Sequence, residues 1–230
     1  TNFPVSPNLR RNPNMNVLNK FGMLILTASL LAACGDSSNK GSSDKPAEQV
    51  AQSESSPANK YEKALSEFPE ADPKLAEPIV ISDKKSPDGL AELQKFIHFT
   101  TGEEAQKITQ LGLELQNLAN QNKEKETLEQ MNKLTAALEQ FHQSAAALDI
   151  KDPEIKAVLD RALQVSSAAN NMMIYAGKHA SELTINGKDK DSLKFANDFQ
   201  EKSQKLQETL RAANQELQKA AEALGKKYSQ

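Results

Sequence analysis

The sequence predicts an all-α fold: an antiparallel bundle of about four long helices standing behind a disordered tether. Three observations carry that prediction. Ala, Leu, Gln, Glu and Lys dominate the second half of the chain, which is a helical composition. From Gly89 onward, apolar residues recur at alternating spacings of three and four, the period of one helix face. The connections between these runs are short, which makes successive helices antiparallel neighbours.

The bundle is expected over residues 89–226. Its first stretch runs from Leu90 to about Asn122 and is interrupted at Thr100-Thr101-Gly102, where Thr101 followed by Glu104 matches a capping box that would restart the helix. Ile108, Leu111, Leu115 and Leu118 form its stripe. A second helix, from about Lys125 to Leu148, carries Leu128, Met131, Leu134, Leu138, Phe141, Ala145 and Leu148. Asp152-Pro153 supplies an N-cap and a proline at the first helical position for the third helix. That helix presents Ile155, Val158, Ala162, Val165, Ala169, Met172, Ala176, Ala180 and Leu183. Asn186-Gly187 marks a turn. The last helix runs from about Asp191 to Leu224, with Gly225 as its C-cap. Its stripe of Leu193, Ala196, Phe199, Ser203, Leu206, Leu210, Ala213, Leu217, Ala220 and Leu224 keeps the seam spacing of a left-handed bundle or coiled coil.

Residues 60–88 read as a short helix followed by a proline-rich segment. Tyr61, Leu65 and Phe68 share one side of the helix, and Pro69, Pro73, Pro78 and Pro87 then exclude a continuous helix. Ile79-Val80-Ile81 is expected to lie extended against the domain. Residues 34–59 are rich in Ser, Asp, Lys, Gln and Pro, with almost no large apolar side chain. They cannot bury enough surface to offset the entropy of ordering, so the reading is a disordered linker with a reach of roughly 25–30 Å.

Ahead of the linker, residues 1–14 read as an upstream extension and residues 15–33 as a signal peptide beginning at Met15. Lys20 lies in a short polar region, and the apolar run Phe21–Leu31 follows. About eleven residues make roughly 16 Å of helix, too short for a hydrocarbon core of about 30 Å. The run therefore fits the apolar region of a signal peptide. It ends on Leu31-Ala32-Ala33-Cys34, which resembles the lipobox of the bacterial lipoprotein class; the resemblance covers about the first 35 residues. It implies cleavage between Ala33 and Cys34, diacylation of the Cys34 thiol (a palmitate-type anchor) and, as a rule, acylation of the new amino terminus. Two or three acyl chains hold a protein stably where one does not. Gly35 follows the cysteine in place of Asp, which by the same resemblance implies sorting to the outer membrane, with the domain in the periplasm or at the cell surface.

Charge and cysteine usage narrow the classes. The chain holds 28 basic and 31 acidic side chains, a net charge of −3. The first 33 residues carry Arg10, Arg11 and Lys20 and no acid, so the chain from Cys34 onward has 25 basic against 31 acidic groups, a net charge of −6. An acidic exported domain is ill suited to nucleic acid, whose binding rests on phosphate neutralisation. Cys34 is the one cysteine, so no intramolecular disulfide can form and the fold rests on its apolar core.

No catalytic constellation emerges. Glu139 and His142 match one Glu-x-x-His pair, but a bundle metal site needs a second, and Lys95 and Ala176 stand where His98 and His179 would require Glu. His142 therefore reads as a boundary residue. Met172 and Met173 read as core filler, and Ser166-Ser167-Ala168-Ala169 with Asn170-Asn171 as small residues that let two helices approach closely. No cofactor, metal, nucleophile motif or phosphate loop is expected, and no enzymatic activity. The sequence supports a lipid-anchored envelope protein whose helical domain binds a protein or another envelope component, as a monomer or an oligomer. Alternatives are carriage of a small ligand or metal within the bundle, or an immunity or inhibitor role.

Overall fold

The computed structural model describes residues 57–183 and 190–229. Among these, all regular structure is helical. Helix α1 (Pro57–Ser66) and a 3₁₀ turn (Pro73–Ala76) precede α2 (Gly89–Thr101), α3 (Glu103–Asn120), α4 (Glu124–Ala146), α5 (Pro153–Lys178), the single turn α6 (Ala180–Leu183) and α7 (Lys190–Tyr228). Helices α3, α4, α5 and α7 are the four long helices that the periodicity predicts. α7 has 39 residues, which makes it about 58 Å long.

The long helices pair in chain order: α3 against α4, α4 against α5, and α5 against α7. Helix α5 is the spine, since it feeds all three clusters of the core. Ile155, Val158 and Leu159 meet Leu93 and Phe96 of α2 and Leu224 of α7. Val165, Met172 and Tyr175 meet Leu206, Leu210 and Ala213. Met173 meets Leu115 of α3 with Leu134 and Leu138 of α4. Burying a side chain of this size contributes about 1.5–3 kcal/mol.

Residues 60–88 join this core and do not form a separate piece. Phe68 and Leu75 belong to the cluster around Leu210. Ile79 and Ile81 pack onto the first cluster, whereas Val80 between them is 82% exposed, the alternation of an extended strap. Prolines stop this segment from coiling, so its carbonyls need outside partners. The Arg161 guanidinium donates to the carbonyls of Leu75 and Glu77. The strap runs along the α5–α7 seam from the start of α7, where Tyr61 stacks on Phe195 at 4.9 Å, to its end, where Ser86 meets Tyr228.

Several expectations need correction. The chain does break between α2 and α3, but without a capping box. The Thr101 hydroxyl instead donates back to the Ile97 carbonyl at 2.8 Å, and the N-cap Gly102 has no side chain to offer. Gly225 is not a C-cap: α7 continues to Tyr228, because Lys227 and Tyr228 are both bonded to the start of α5. Leu193 leaves the stripe and is 52% exposed, while Ser192 and Phe195 are buried in its place. Helix α1 covers that end of α7 and draws the Phe195 face inward. Leu128 is likewise 42% exposed, at the edge of α4 above Gly177. Helix α1 begins at Pro57, inside the stretch read as linker. The turn at Asn186-Gly187 lies outside the described residues.

Candidate functional site

The sequence-predicted site, Leu31, Ala32, Ala33 and Cys34, lies outside the described residues, as do the upstream extension and the signal peptide. The structure does describe where the chain that leads from Cys34 enters the domain. Pro57 opens α1 beside the first turns of α7 and the end of α5. An aromatic cluster holds α1 there. Tyr61 stacks on Phe195, and Phe68 meets Tyr175 edge-on at 5.2 Å and Phe199 at 5.7 Å. Beside the rings, Glu67 takes the Lys178 ammonium and His179 Nε2, each at 2.7 Å. Hydrogen bonds from Lys178 and then His179 hold the Glu67 carboxyl below the usual range. Burial, with the Glu182 and Glu67 carboxylates nearby, pushes the Tyr175 hydroxyl up to about 12.

At the opposite end, the strap, α2, α5 and α7 converge on two buried carboxylates. Asp152 caps α5, accepting the amides of Glu154 and Ile155 at 2.9 and 3.0 Å. Its second oxygen accepts the hydroxyls of Ser86 at 2.6 Å and Tyr228 at 2.9 Å. Burial alone would raise the Asp152 carboxyl, but these four donors outweigh it and hold it below the usual range. Glu92 of α2 accepts the backbone amides of Lys151 and Asp152 from the α4–α5 connection. Glu154 accepts the amide and hydroxyl of Ser82 and pairs with Lys227. This polar knot lashes one end of the bundle together. Its donors and acceptors are committed to one another and to helix caps.

The chemistry-bearing residues singled out in the sequence fall elsewhere. His142 is half-buried on α4 with Nδ1 at 3.5 Å from the Ser167 hydroxyl, and its Nε2 is buried without a partner. Burial holds the imidazole below its ordinary value. A serine and a histidine at this range resemble a nucleophile and its base, but among the described residues no third group bonds to the ring's other nitrogen. Glu139 is exposed on α4. Among the described residues, no group of three His, Cys, Asp or Glu side chains could hold a metal ion. Met172 and Met173 are buried in the core. The stretch Ser166–Asn171 seats α4: Ser166 and Ala169 are buried, and the Thr135 hydroxyl donates to Asn170 Oδ1 at 3.0 Å.

Sequence reasoning missed Glu92, Ser86 and Tyr228 as partners of the α5 cap, and Glu67 as the partner of His179. Only Asp152-Pro153 announced itself locally. The other partners lie 59 or more residues away from the groups they meet and leave no spacing signal.

Fold and geometry together define a class: a wholly helical domain, strapped lengthwise and entered by its upstream chain at one end. The profile of the uncharacterised lipoprotein PM1805 family matches residues 90–229, and the chain belongs to that family. It is therefore a lipoprotein of the cell envelope, associated with the membrane through lipid. No helix among the described residues is long and apolar enough to cross a membrane. No curated protein and no solved structure matches the chain.

Proposed function

We propose that the chain is anchored through lipid on Cys34, sorted to the outer membrane, and that its helical domain works without catalysis by binding a protein or another envelope component. One observation carries this reading. The domain's two buried carboxylates, Asp152 and Glu92, are spent on a helix cap and on ties between elements, while the outer faces of its long helices carry polar and charged residues. Such a domain offers surface where an enzyme would offer a reactive centre. Membership of a lipoprotein family supports the anchor.

Cleavable crosslinking in intact cells tests the binding role. Photoreactive residues on the outward positions of α3, α4 and α7 should give a discrete adduct of one heavier mass, lost when the crosslinker is cleaved. Only monomer from every position would count against it. Parallel assays of the purified domain for hydrolase activity should stay at the buffer baseline.

A further inference from the structure

Two of the three core clusters, those around Phe96 and Leu134, take all their buried members from α2 onward. The third, around Leu210, takes Phe68 and Leu75 from the chain ahead of α2. Helix α1 packs on α7 and α6, and the 3₁₀ turn packs on α7 and α5, while α5 and α7 also pack directly on each other. Between the 3₁₀ turn and Ser82, the strap's hydrogen bonds to the bundle come from Arg161, which holds the Leu75 and Glu77 carbonyls. The backbone amides and carbonyls of Ile79, Val80 and Ile81 have no partner among the described residues. Beyond them, Ser82 and Ser86 are bonded to Glu154 and Asp152 in the knot. We propose that residues 57–81 are a cover that lifts from α5 and α7 as one unit, hinged on the knot, while the long helices stay folded.

Local opening belongs to segments that bury few apolar side chains and leave much backbone to water. The cover is such a segment: beyond α1 and the 3₁₀ turn it has no regular structure, and Phe68 and Leu75 are its large buried side chains. Its ion pairs, Glu67 with Lys178 and Glu70 with Lys202, are partly or wholly exposed, where such pairs hold weakly. Its seat is also imperfect. The Tyr175 hydroxyl, whose ring Phe68 meets edge-on, is buried without a partner, and so is the Ser203 hydroxyl, one turn beyond Phe199. A buried hydroxyl without a partner is unfavourable, and lifting the cover gives both of them water. That offsets part of the cost of exposing Tyr175, Phe199, Leu206 and Leu210. The freed residues 57–81 would span up to about 80–90 Å at roughly 3.3–3.6 Å each. Lengthening of the tether rests on the lipid-anchor reading; the opening itself does not.

Thiol labelling of the full chain in a Cys34→Ser background tests the cover independently of the anchor. Single probes are Ala64→Cys in α1, Leu75→Cys in the strap, Ser203→Cys in the seam beneath and Ala145→Cys in α4, all at buried positions. With reclosing faster than the reagent, the first three should label at least about ten-fold faster than Ala145→Cys. They should also share a urea dependence shallower than that of Ala145→Cys, because lifting the cover exposes less surface than unfolding the bundle. Ala64→Cys and Ser203→Cys each alter a single heavy atom, so the comparison does not hang on Leu75→Cys. Four probes that label at one rate with one urea slope, or a Ser203→Cys as slow as Ala145→Cys beside a fast Ala64→Cys, overturn the proposal.

Discussion

Replacing Asp152 with alanine removes the residue on which one end of the bundle converges. Asp152 is 4% exposed, and four donors reach its carboxylate: two amides of α5 and the hydroxyls of Ser86 and Tyr228. Loss of a side-chain N-cap costs about 0.5–2 kcal/mol. A buried donor left without an acceptor costs about 1–3 kcal/mol. The two hydroxyls lie 3.2 Å apart and can satisfy each other in part, so only one such loss counts in full. Together these give roughly 3 kcal/mol, or a fall of about 6–12 °C in Tm for a domain of this size. Thermal and urea unfolding followed by circular dichroism at 222 nm measure it. Tyr228→Phe removes one donor and should cost about 1 kcal/mol. In the double variant the two losses should fall short of additive, since they share a bond. An Asp152→Ala domain that melts within about 2 °C of the parent would refute this account of the knot. The carboxyl is held below its usual range, so its contribution is present at neutral pH and disappears as pH falls through its folded-state value. Acid should therefore destabilise the parent more steeply than the Asp152→Asn variant.

Three further outcomes follow from the packing. Gly89→Ala should destabilise by about 1–3 kcal/mol, because a Cβ there would lie 1.9 Å from the Tyr228 hydroxyl and 2.5 Å from the Ser86 hydroxyl; equal Tm values for parent and variant would show that the end of α7 is not seated as described. Arg161→Ala leaves two strap carbonyls without their donor and should cost about 1–3 kcal/mol, with faster exchange confined to residues 70–81 as the local signature. Phe96→Ala empties a fully buried site between α2, α5 and α7 and should cost about 3–5 kcal/mol in urea unfolding.

The long helices were legible because helical period and burial are both written locally. Leu134, Leu138, Phe141, Ala145, Ile155, Val158, Leu206, Leu210 and Leu224 all face inward as their spacing requires. The N-cap of α5 was legible for the same reason, since cap and proline are adjacent. What failed did so through tertiary contacts. Gly225 reads as a stop, yet α7 passes through it because Tyr228 has a buried seat on Asp152. Leu193 belongs to the stripe by count, but α1 fixes the rotation of α7 through Tyr61 and Phe195. Ile79–Ile81 reads as extended from its sequence alone, but the path of the strap along the α5–α7 seam depends on Arg161, 84 residues beyond Glu77. The Glu67–His179 pair spans 112 residues and left no trace in the pattern. The lipidation motif is the reverse case: a few contiguous residues, Leu31 to Cys34, that are legible without any fold.

Growth with a fatty-acid analogue, followed by fractionation of parent and Cys34→Ser cells, tests the central claim most directly. The parent should carry the label and sediment with membranes, and the variant should lose the label and enter the soluble fraction. A variant that stays membrane-bound beside a parent that never takes up the analogue would contradict the account.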